Sequence, residues 1–116
     1  MSEIMNTNYG FKEAFEDTQK DIHDIAVKSG WWDNQRNDGE LIALMHSELS
    51  EALEVLRDGD KKSDKVPEYT LLELELADVV IRLMDFAEAR MLDVAGAILA
   101  KAEFNKTRPH KHGRKF

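Results

Sequence analysis

Apolar residues recur at spacings of three and four along most of this chain, the period of a helix with one buried face. The stripe Phe11, Phe15, Ile22, Ile25 and Ala26 predicts a first helix over 8–29, ended by Ser29-Gly30. A polar loop follows, "GWWDNQRNDG", carrying Trp31 and Trp32. A second helix is expected from Gly39 to Arg57, with Asp38 as its N-cap. "DGDKKSDKVPE" reads as an exposed loop. The third helix is placed from Glu68, just after Pro67, to Arg90. The fourth runs from Asp93 to Asn105 and is rich in small residues, Ala95, Gly96, Ala97, Ala100 and Ala102, which permit close helix approach. No segment alternates apolar and polar positions long enough for a strand. The expected fold is all-α: one domain, a compact bundle of about four helices, completed by oligomerisation.

Composition narrows this reading. A chain of 116 residues buries a limited share of its surface, so association would help it. With no cysteine, neither disulfides nor thiolate metal sites are available. No signal peptide and no membrane-length apolar run is read, so a soluble, cytoplasmic protein is expected. The net charge of −7 is uneven. The tail at 106–116 holds Lys106, Arg108, Lys111, Arg114 and Lys115 and no acid. An acidic body argues against binding polymeric nucleic acid. The tail either serves an anionic ligand or is a solvated terminus.

The chemistry lies in "HSELSEALE", residues 46–54, and "ELELADVVIRL", residues 73–83. Helical neighbours three or four apart share a face. This groups Glu48, Glu51, Ala52 and Val55 on the second helix, and Leu71, Glu75, Asp78, Arg82 and Asp85 on the third. Each helix carries an acid-x-x-acid pair among apolar residues. Buried like charges are costly without compensation, and Arg82 alone cannot neutralise four acids. Two readings remain: a salt-bridge network, or a cation held by four oxygen donors. The second is favoured, and the donors suit Mg²⁺ or Mn²⁺. Mg²⁺ sites are commonly completed by substrate phosphates, which points to a nucleotide. A ferritin-like di-iron centre is disfavoured because Glu-x-x-His is absent. Glu13, Glu16 and Asp17 read as a solvated face, and His46 lies off the face of Glu48 and Glu51.

Glu48-x-x-Glu51, a gap of 23 residues (52 to 74), then Glu75-x-x-Asp78 resembles the signature of the MazG-like all-α nucleoside triphosphate pyrophosphohydrolases. The helix order, the "ELADVV" context and the tail "NKTRPHKHGRK" are similar as well. One departure is Ser47, where the family often carries a further Glu; it leaves the four ligand positions intact but puts auxiliary acid roles in doubt. The resemblance implies Mg²⁺-dependent hydrolysis of a nucleoside triphosphate to monophosphate and pyrophosphate by a homo-dimer or homo-tetramer. It implies Glu48, Glu51, Glu75 and Asp78 as metal ligands.

Further roles are expectations of the same kind. Glu48 is the candidate base that orients the attacking water. Lys101 and Asn105 share a face of the fourth helix and resemble the family's phosphate- and sugar-contacting pair, with Lys106 and Arg108 following; Lys101 reads equally as a surface lysine. Trp31 and Trp32 offer base stacking, or else one caps the core while the other lies at a subunit interface. Asp85 reads as an outer acid or as a partner of Arg82. Competing readings of the whole chain are a non-enzymatic helical interaction module and a phosphoribosyl-ATP pyrophosphohydrolase.

Overall fold

The computed structural model describes residues 3–116, with side chains from Gly10 onward. Four helices follow in order: α1 (Glu3–Lys28), α2 (Asp38–Asp58), α3 (Leu71–Ala89) and α4 (Val94–Asn105), then a 3-10 turn over His110–Gly113. Among the described residues there is no strand; the α2–α3 loop carries one isolated bridge between Lys62 and Thr70. The fold class is therefore all-α, as the periodicity predicts.

The first helix begins at Glu3, ahead of the expected residue 8, and the starts of α2 and α3 differ from the sequence reading through their caps. Asn37, not Asp38, caps α2, its Oδ1 accepting from Glu40 N at 2.8 Å. Asp38 is drawn away by Arg90, whose Nη2 lies 2.7 Å from its Oδ1. The third helix starts at Leu71 rather than Glu68, because Thr70 forms a capping box with Glu73. Thr70 Oγ1 accepts from Glu73 N, and Glu73 Oε1 accepts from Thr70 N. Asp93 caps α4 through Gly96 N. A Cβ on residue 96 would sit 2.5 Å from the Asp93 carboxylate, so Gly96 makes room for the cap rather than for a neighbouring helix.

The helix C-termini are set by backbone bonds. After α1, Trp31 N donates to Ala26 O and Gly30 N to Val27 O, with Gly30 at φ 91°. That is a Schellman stop, and it projects the two tryptophans from the helix end. The end of α3 repeats it with a non-glycine: Leu92 N donates to Ala87 O and Met91 N to Glu88 O, with Met91 at φ 54°.

The third helix is central and packs on both α1 and α2, while α4 packs on α1. The cross-links show the directions. Gln19 bonds Glu88 and His23 meets Asp85; Glu48 meets Arg82 and Asp38 meets Arg90. As one partner climbs along the chain the other descends, so α1 and α2 both run antiparallel to α3.

The core is thin. Among the residues whose side chains are described, its buried apolar residues are Ala52, Met84, Ala87 and Ala95, and no large side chain is fully enclosed. The Cα radius of gyration is 16.9 Å, against about 13 Å for a compact chain of this length. Leu49, Leu53 and Leu56 of α2 and Leu76 and Val80 of α3 are exposed. Among the described residues no helix is long and apolar enough to cross a membrane.

Candidate metal centre and cavity

The antiparallel seam of α2 and α3 sets the acid-x-x-acid pairs against one another. One carboxylate oxygen each from Glu48, Glu51 and Glu75 lies within 4.8 Å of the others. Glu48 is buried and Glu51 exposed. Asp78 stands outside this triad and lines the adjoining cavity together with Glu48. The seam thus gathers three of the four expected ligands directly and leaves the fourth beside them.

The electrostatics are those of crowded acids. Burial, then the hydrogen bond and charge of Glu51, then the charges of Asp78 and Glu48, push the Glu75 carboxyl from 4.5 up to about 7. Burial and the charge of Glu48 also raise Asp78, against the opposing pull of Arg82. One oxygen of Glu75, Oε2, is buried with no hydrogen-bond partner. A buried carboxylate oxygen without a donor is costly, and a divalent cation is the partner that oxygen donors in such a cluster suit. The residues present fit a hard cation.

Arg82 contributes the local positive charge. Its Nε donates to Glu48 Oε1 at 2.7 Å. Of the two readings of Asp85, the pairing with Arg82 is not formed. Asp85 instead faces α1 and the loop after it. His23 Nδ1 lies 2.7 Å from Asp85 Oδ1, and Trp32 Nε1 donates to Oδ1 and Oδ2 at 2.9 and 3.1 Å. Sequence reasoning missed His23, although it adjoins the stripe residues Ile22 and Ala26.

Beside the acids is a cavity of about 350 Å³, at the small end of ligand pockets. Ile22, Ile25 and Ala26 of the first stripe line it rather than a closed core. Trp31 and Trp32 both line it, as do Arg36 and Arg82. Trp31 is 55% exposed, with the Arg36 guanidinium 5.6 Å from its ring centroid. Trp32 is half-buried.

The basic candidates lie elsewhere. Lys101, Asn105, Lys106 and Arg108 neither line this cavity nor bond to its acids. Lys101 and Arg108 lie over the Phe104 ring, and Lys106 pairs with Glu103 at 3.1 Å. His46 is exposed.

No protein-family model matches the chain, and neither does any curated protein or solved structure.

Proposed function

We propose that the chain is a Mg²⁺-dependent nucleoside triphosphate pyrophosphohydrolase acting in nucleotide pool house-cleaning. The observation that carries this reading is the unpartnered buried oxygen of Glu75 inside three clustered carboxylates, at the edge of a cavity walled by tryptophans and arginines. Glu48, Glu51 and Glu75, with Asp78 beside them, would hold Mg²⁺, or Mn²⁺ in its place. The ion, when bound, supplies charge to phosphate oxygens and makes a water more acidic.

The protein's own groups divide the rest. Arg82 fixes the Glu48 carboxylate; Arg36 and Arg82 are the cations of a cavity wall that also carries Glu48, Asp78 and Asp85, so a bound cation would supply the remaining positive charge toward phosphates. The apolar wall with Trp31 and Trp32 takes the base. Water attacks the α-phosphorus, the bond from that phosphorus to the bridging oxygen breaks, and pyrophosphate leaves. The water's proton goes to a carboxylate oxygen. For Glu48 only its second oxygen is left for that, since Arg82 holds the first.

A homo-dimer or homo-tetramer is part of the proposal. The thin core, the extended radius and the exposed leucines of α2 support it. A second protomer also offers the phosphates the cations of Lys101, Lys106 and Arg108, which lie off this protomer's own cavity, together with Asn105.

The test is a panel of ribo- and deoxyribonucleoside triphosphates with Mg²⁺, products separated by chromatography, with Glu51→Gln in parallel. Monophosphate and pyrophosphate, lost in the variant, are expected. Diphosphate with orthophosphate would move the scissile bond. Absence of any product would favour the helical interaction module, to which the exposed apolar α2 row also lends itself.

A further inference from the structure

Asp85 is a carboxylate in a place where an apolar residue would pack. Its side chain is 19% exposed, and it lines a cavity whose neighbouring walls include Ile22, Ile81 and Phe86. Neither nearby arginine bonds to it: Arg82 is held by Glu48 and Arg90 by Asp38. What surrounds it are nitrogens of two ring systems. The Trp32 indole N–H is shared between both carboxylate oxygens, and His23 Nδ1 reaches the first. Hydrogen bonds to an ionised acceptor are short and strong, and they fix the direction of the donor. The rest of the indole is held too. Its plane meets the His23 ring at 70° with centroids 5.4 Å apart, and the Arg90 guanidinium lies over it at 5.9 Å.

We propose that Asp85 is a positioning residue: it pins the Trp32 indole as an ordered aromatic wall, against which the planar base of a nucleotide stacks. An aromatic platform gains affinity when its orientation is set before binding, because no ring freedom is lost on contact. Asp85 thus acts on the base end of the ligand and through Trp32, while the acids of the α2–α3 seam act on the phosphate end. This rests on the nucleotide reading for its ligand, but not on turnover.

The experiment is titration calorimetry with AMP, GMP, CMP and UMP, without divalent cation, on the full chain and on Asp85→Asn, Trp32→Phe and the double variant. The phenylalanine keeps an aromatic ring and removes the N–H that Asp85 holds. For the monophosphate that binds wild type best, Asp85→Asn, which keeps one acceptor oxygen but no longer shares the indole N–H between two, is expected to weaken binding by up to about tenfold, the cost of ordering a freed ring on contact. In the Trp32→Phe background the same change should cost less than about twofold, since residues acting through one another are non-additive. Where turnover is measurable, the Asp85→Asn effect should fall more on KM than on kcat. Equal losses in both backgrounds, or wild-type binding by Asp85→Asn, would overturn the proposal. So would failure of every monophosphate to bind wild type. If Asp85→Asn does not fold, Trp32→Phe decides, because binding unchanged by loss of the N–H would leave the pinning without effect. Binding of a monophosphate without hydrolysis of any triphosphate would sink the proposed reaction and leave Asp85 in its role.

Discussion

Arg82 and Glu48 meet at 2.7 Å across the seam of α2 and α3, the guanidinium 34% exposed and the carboxylate only 10%. This pair links helix packing to the acid cluster, because removing the arginine leaves the most buried of the acids without its donor. Replacing Arg82 by Leu should cost about 1–3 kcal/mol, less than a fully buried pair because water reaches the arginine. Urea unfolding of both proteins without divalent cation measures it. A loss under about 0.5 kcal/mol would show that the pair is merely a surface one.

Glu75 makes a signed prediction about pH. Its folded-state pKa is raised, from 4.5 to about 7. Between those values the folded chain holds a proton that the unfolded chain releases, so stability falls as pH rises through the window. The contribution is fully present below 4.5 and gone above about 7. Glu75→Gln mimics the protonated acid and should flatten the slope, giving a higher Tm than wild type above about pH 7. Parallel melting curves for the two proteins across this window would exclude the shift.

Divalent cation should reverse the penalty. If the clustered acids hold Mg²⁺, saturation a hundredfold above Kd stabilises by about 2.7 kcal/mol. Melting temperature should rise with added Mg²⁺ in wild type and not in Glu75→Gln. An unchanged Tm at millimolar Mg²⁺, with nucleotide present, would count against a cation site.

Association is testable through Leu53, which is 49% exposed on the α2 row. Sedimentation should give a multiple of the 13.3 kDa chain mass, and Leu53→Glu should shift it toward the monomer. A monomeric wild type at micromolar concentration would remove the oligomer from the proposal.

Met91 occupies a left-handed position at the end of α3, with φ 54° and 91% exposure. Side chains in that region cost about 1 kcal/mol that glycine avoids. Met91→Gly should therefore raise stability by about that amount, although glycine is normally the destabilising choice. Chemical denaturation of the pair provides the check.

The legible parts of the chain were the local ones. Spacings of three and four gave all four helices, and the apolar context of Glu48, Glu51 and Glu75 marked the seam at which α2 and α3 gather them, with Asp78 left outside the triad. Helix starts shifted where two residues competed for a cap, as Asn37 and Asp38 did, because Arg90 enters from a distant part of the chain. The same limit hid the partner of Asp85. On one helix Arg82 and Asp85 are neighbours, but the register of α3 against α2 and α1 gives the arginine to Glu48 and the acid to His23 and Trp32. Nor could periodicity show that Ile22, Ile25 and Ala26 line a cavity: an apolar stripe reads alike whether it meets a neighbour or an opening.

Glu75, Asp78, Arg82 and Asp85 recur along one face of α3 over ten residues, about 15 Å of helix. That face sets a fixed distance between the crowded acids at one end and the indole bonded to Asp85 at the other. In the proposed function, a cation held by the acids would meet the phosphates at one end while the base reached the indole at the other. On the proposed nucleotide reading, the rigid rise of a single helix would set the distance at which the two ends of that ligand are met.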